Sequence, residues 1–175
     1  MTTATNPNTL IWPATLAASS VLGSYALACV FPFAAIAALA ALTLDRRNGI
    51  ALVVAAWAVN QFVGFFLLSF PWDAQAVGHG IAILGATLCG YGVARLAAVR
   101  IANPFARGAT ALASAFVVYE VLLFAYAHVG GGVETFAPNF VAEVARNDAL
   151  WFAGLMALRF LLTRATGERL LAARA

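Results

Sequence analysis

Several apolar runs of about 20 residues follow one another along this chain, the length a helix needs to cross a hydrocarbon core of about 30 Å. With 63% hydrophobic and 10% charged residues among 175, a water-soluble core cannot absorb that apolar surface. The expectation is a single all-α integral membrane domain, a polytopic helical bundle of about six transmembrane helices. The start, 1–9, is polar and has no basic residue ahead of the first apolar run, so no cleaved leader is expected. Cys29 and Cys89 each fall inside an apolar run without C-x-x-C or Cys/His spacing, and neither a disulfide nor a metal site is expected.

The first run, 10–44, would make a helix of roughly 50 Å at about 1.5 Å per residue, too long for a bilayer core. Pro32 in Cys29-Val30-Phe31-Pro32-Phe33 supplies a break, because proline lacks an N–H and pushes the preceding residue out of the helical region. The spans therefore read as 13–30, 33–44, 50–70, 77–99, 109–128 and 148–163, the first two short. All ten basic residues are arginine. Arg46 and Arg47 follow span two, Arg95, Arg100 and Arg107 surround the turn after span four, Arg164, Arg169 and Arg174 follow span six, and only Arg146 falls in a loop on the other side. Basic loops favour the cytoplasm, which places both termini inside, at a bacterial inner membrane. The positive charge then belongs to topology and the lipid surface, and no nucleic acid is expected.

Small residues indicate how the helices pack. Gly78, Ala82, Ala86, Gly90 and Ala94 recur every four residues in span four, which is expected to be central, with Ala98 off the stripe. Ala14 and Ala18, then Ser20, Ser24 and Ala28, form a second series in span one. Trp12, Trp72 and Trp151 sit at or near span ends and read as interfacial anchors, as do Arg95 and Arg159 by snorkelling. His79 and His128 read as interface residues or as part of a mouth.

One acid interrupts this pattern. Glu120 lies in the middle of the run 109–128, where an ionisable group costs roughly 2.5–3.5 kcal/mol unless it faces a partner or a cavity. Asn60 and Gln61 fall at a similar depth in span three, roughly 15 Å from the basic end. Trp57 shares a face with Asn60, and Phe116 and Phe124 share a face with Glu120, with Tyr119 beside it. These residues are the candidate small-molecule site. The competing reading is a structural lock in which a protonated Glu120 donates to Asn60 or Gln61. The long connection 129–147 opens on Gly130, Gly131 and Gly132, and after Pro138 it reads as a short helix lying on the membrane surface, a candidate lid.

The order of elements resembles the substrate-binding S component of energy-coupling-factor vitamin transporters. The resemblance covers the whole topology: about six helices, cytoplasmic termini and a proline break between the first two spans. The stretch Leu42-Thr43-Leu44-Asp45-Arg46-Arg47-Asn48-Gly49 is similar to the basic, glycine-ended turn after the family's second helix, and Ala14-x-x-x-Ala18 to its motif for contacting the coupling subunit. The resemblance implies a binder of a vitamin-like small molecule, without cofactor, working with a membrane coupling subunit and partner ATPases, since no Walker-type glycine loop is present here. The alternative is an accessory or structural subunit of a larger membrane complex. An enzyme is not expected, because no catalytic constellation shares one depth.

Overall fold

Short polar turns set the helix boundaries. Asp45 caps one helix through the Asn48 N–H, Asp73 a second through Ala76 N–H at 2.7 Å, and Asn103 a third through Ala106 N–H at 3.0 Å, with Pro104 at the first helical position. In the computed structural model, which describes residues 8–27 and 31–165, the chain forms six helices and, among those residues, no strand. They are α1 (Asn8–Leu27), α2 (Phe33–Thr43), α3 (Arg46–Phe62), α4 (Ala74–Ala98), α5 (Pro104–Gly130) and α6 (Pro138–Ala165). A π-helical turn, Val63–Leu67, continues α3, and a 3-10 turn, Val133–Phe136, precedes α6. Cys29, Ala28, Arg169 and Arg174 lie outside the described residues.

The fold is the all-α bundle expected from the sequence. Among the described residues, three helices are long and apolar enough to cross a membrane: α3 with its π turn, α4 and α5. Large apolar side chains on the outside, among them Phe62, Phe66, Ile81, Val117 and Val121, are more than half exposed, as lipid-facing positions would be.

The centre belongs to α2, not to α4 as the small-residue stripe predicts. Every residue of α2 except Leu42 is buried, and α3, α4, α5 and α6 all pack against it. Its sequence explains this: Phe33–Thr43 is mostly alanine, so four neighbours can approach closely all round. Its eleven residues span about 16 Å, half of what a membrane crossing takes. α1 packs mainly against α3 and runs in the opposite sense to α2. The indole N–H of Trp12, near the start of α1, donates to Thr43 Oγ1 at the end of α2 (2.9 Å), while Gly23 sits against the ring of Phe31 at the start of α2. Pro32 thus separates two antiparallel helices. Trp12 is buried between Thr43 and the guanidinium of Arg159, 5.8 Å from its ring, and so is not an interfacial anchor. Its early position in the chain looks peripheral only until the hairpin folds back over it.

The stripe of α4 does pack internally. Ala86, Gly90 and Ala94 are buried, and a Cβ at Gly90 would lie 3.0 Å from the carbonyl oxygen of Ala115 in α5. Ala98 continues the stripe and is also buried, whereas Gly85 and Cys89 face outward. The segment after Pro138 is not a separate surface helix: it is the first part of α6, which runs unbroken to Ala165. The connection from α5 is correspondingly short. Gly131 and Gly132 turn it with φ of 85° and 90°, which only glycine adopts without strain.

Apart from Arg146, near the start of α6, the described arginines gather toward one end of the bundle, and two of them hold helix ends. Arg95 donates to the carbonyl of Leu44 just past α2 (2.9 Å), and Arg107 to that of Ala98 at the end of α4 (3.1 Å). Both satisfy carbonyls that the helices leave open and place positive charge at the negative pole of the dipole.

Candidate functional site

Because α2 stops half-way through the bundle, its N-terminus opens into the interior, and its free N–H groups need acceptors. Phe33 N–H donates to the Phe31 carbonyl (2.8 Å) and Ile36 N–H to that of Pro32 (3.1 Å). Ala35 N–H donates to Asp148 Oδ1 at 2.6 Å, with the Ala34 N–H beside the same carboxylate. Asp148, from the middle of α6, is 1% exposed. An aspartate far away in sequence therefore caps α2, where Pro32 has no side chain able to do so. Its other oxygen, Oδ2, is buried without a hydrogen-bond partner.

Above this capped end stand Tyr119 and Glu120 of α5. The ring of Tyr119 stacks on Phe33 with centroids 6.1 Å apart, which aligns the middle of α5 with the start of α2. Glu120 is half-buried and makes no hydrogen bond among the described residues. It lies close enough to Asp148 for the two carboxylates to repel.

Two cavities meet at Tyr119. The first, about 330 Å³, lies between α5 and α6 under the 3-10 turn. Phe31, Tyr119, Glu120 and Leu123 form its deeper part, while Phe136, Phe140 and Val144 close it from the α6 side. The second, about 240 Å³, lies between α3 and α4 and is bordered by Asn60, Gln61, His79 and Tyr119. Cavities at the lower end of the small-molecule range, with apolar walls and a few polar groups, are what ligand sites look like.

The sequence-predicted residues divide between these spaces. Glu120 and Tyr119 line the first cavity, and Asn60, Gln61 and Tyr119 the second, so Glu120 and the two amides border different spaces that share Tyr119. No hydrogen bond joins Glu120 to either amide. Gln61 Nε2 instead donates to Asn60 Oδ1 (3.3 Å). Trp57 donates through its indole N–H to the Gly80 carbonyl (2.6 Å), pinning α3 to α4, and its ring borders an outward groove with Phe62, Phe66 and Trp72. Phe116 packs against the core, and Phe124 is exposed against His128 and Phe136. Ala14 and Ala18 are exposed on α1.

No family model, curated protein or solved structure matches this chain. The site is therefore read from its own chemistry. Among the described residues no three His, Cys, Asp or Glu side chains converge as a metal would require. Asp148 is the residue that sequence reasoning missed. By hydropathy it stands at a span end, yet it lies in helical register with Leu155, Arg159 and Leu162 on the inward face of α6, a periodicity that points inward without showing what Asp148 meets there.

Proposed function

We propose that this protein is a membrane-embedded small-molecule-binding subunit of an uptake system, taking its ligand into the cavity between α5 and α6. The observation that carries this reading is the half-length α2: by ending at mid-bundle it leaves interior volume that the longer helices enclose, with the half-buried carboxylate of Glu120 on the wall. An ionisable group at that depth is expected to face a ligand or cavity. Phe136, Phe140 and Val144, on the 3-10 turn and the start of α6, form the cover, and the two glycines before them supply a hinge.

In this reading the chain lies in the bacterial inner membrane with the arginine-bearing end and both termini in the cytoplasm, and the cavity opens toward the other side. The resemblance to vitamin-transporter S components supports a vitamin-like ligand and dependence on a membrane coupling subunit and its ATPases. The exposed Ala14 and Ala18 offer a small-residue face where another helix can dock closely. That face also favours the second reading, an accessory subunit with no ligand of its own.

Mass spectrometry of the gently purified protein tests the choice. A small molecule retained at near-stoichiometric amount supports the binder. Co-purified membrane subunits with no retained small molecule support the accessory role and defeat the proposal.

A further inference from the structure

We propose that the cavity between α5 and α6 selects an organic cation: a protonated or quaternary amine carried on a flat aromatic or apolar body. The inference rests on the reading of that cavity as a ligand site and specifies its chemistry.

The walls carry negative charge and no positive charge. Glu120 lines the deeper part and Glu143 the rim, and no arginine or histidine borders the space. The two acids are not equivalent. Glu143 is 56% exposed and lies 4.0 Å from the exposed Arg146, a solvated pair at the rim. Glu120 has no such partner, nor any hydrogen bond among the described residues. Behind it Asp148 adds a second carboxylate, one oxygen of which caps α2 while the other has no hydrogen bond. The charge on the cavity wall is thus that of Glu120, with no base opposite it among the lining residues.

The remaining lining suits the body of such a ligand. Phe31, Tyr119, Phe136 and Phe140 present aromatic surface, which attracts a cation through the ring quadrupole and also stacks on a flat apolar group. An anionic ligand would meet like charge with nothing to offset it. A neutral ligand would desolvate Glu120 without compensating its charge, a cost that a cation converts into attraction. The volume of about 330 Å³ admits one ring system with a short substituent and excludes a whole lipid.

Calorimetric titration of the full-length protein in lipid nanodiscs tests this with three probes of similar size: benzyltrimethylammonium, neutral N,N-dimethylbenzamide and anionic phenylacetate. The cation is expected to bind at least tenfold more tightly than either of the others. Glu120→Gln should abolish that preference by weakening the cation while the neutral probe binds as tightly or more tightly, and Glu143→Gln should shift cation affinity by no more than about twofold. Equal or tighter binding of the neutral or anionic probe, or a cation preference that survives Glu120→Gln, overturns the selectivity and leaves the cavity reading standing. Absence of saturable binding by all three overturns the cavity reading itself, and the selectivity with it.

Discussion

Asp148 and Glu120 are neighbouring carboxylates on facing helices, and their surroundings give them different tasks. Asp148 is buried and holds the end of α2 through the Ala35 N–H. Replacing it with leucine leaves buried backbone donors without an acceptor, so Asp148→Leu should lose about 1–3 kcal/mol of stability, whereas Asp148→Asn keeps a carbonyl acceptor and should lose less. Thermal melting in detergent, followed by tryptophan fluorescence, checks the order. Glu120 holds nothing: it makes no hydrogen bond among the described residues, and Glu120→Ala should melt close to the wild type, within about 0.5 kcal/mol. A lock between Glu120 and the amides of Asn60 or Gln61 would instead cost about 1–3 kcal/mol in the same measurement. Glu120 was legible in the sequence because an acid in the middle of an apolar run has no bland explanation. Asp148 was not, because an acid near a span end reads as interfacial, and only the fold shows that α2 ends beside it. The depth argument that joined Glu120 to Asn60 and Gln61 failed for a related reason. Equal depth does not fix rotation about the helix axis, and Glu120 and the two amides border different cavities that share Tyr119.

At the level of elements, Pro32 marked the break before α2 in the sequence, whereas α3, α4 and α5 start three to five residues ahead of the spans read from the apolar runs, because Asp45, Asp73 and Asn103 cap them within the polar turns. The central place of α2 was harder to read. A helix apolar all round is buried in water but can equally face lipid, and what distinguishes the two is the preference for alanine where backbones must approach. The continuity of α6 was hidden by its own composition: Glu143 and Arg146 on its first turns look like a surface segment, and nothing breaks the helix between them and Asp148. The packing of α4 gives a sharp test. Gly90→Leu drives a side chain into the Ala115 backbone and Ala86→Leu overfills a buried contact, so each should cost about 1–3 kcal/mol. Gly85→Leu lies on the same helix with nothing within 4 Å of its Cβ position and should be neutral or slightly stabilising through helix propensity. Equal melting temperatures for Gly90→Leu and Gly85→Leu would mean that α4 does not pack on α5 by this face.

For the whole molecule, the arginine distribution and the fold make a joint statement: Asn48 and Asn103 lie at one end of the bundle and Glu134 at the other. In a variant without Cys29 and Cys89, single cysteines at Asn48 and Asn103 should be shielded from a membrane-impermeant thiol reagent in intact cells, and one at Glu134 should label. Labelling at Asn48 would reverse the orientation and turn the cavity cover toward the cytoplasm. The number and order of the helices were legible because each apolar run is long and bounded by turns. The cavity was not, since it arises from a helix that stops short among longer neighbours, and that is a property of their assembly. The most direct measurement of the central claim is therefore made on the cavity in the assembled protein: the small molecules released from wild-type, Glu120→Gln and Leu123→Trp proteins, purified in parallel and quantified by mass spectrometry. The account predicts a molecule present at near-stoichiometric amount in the wild type, reduced at least tenfold by Glu120→Gln and absent from Leu123→Trp, which fills the cavity with a larger ring. The same small-molecule content in all three proteins would contradict it.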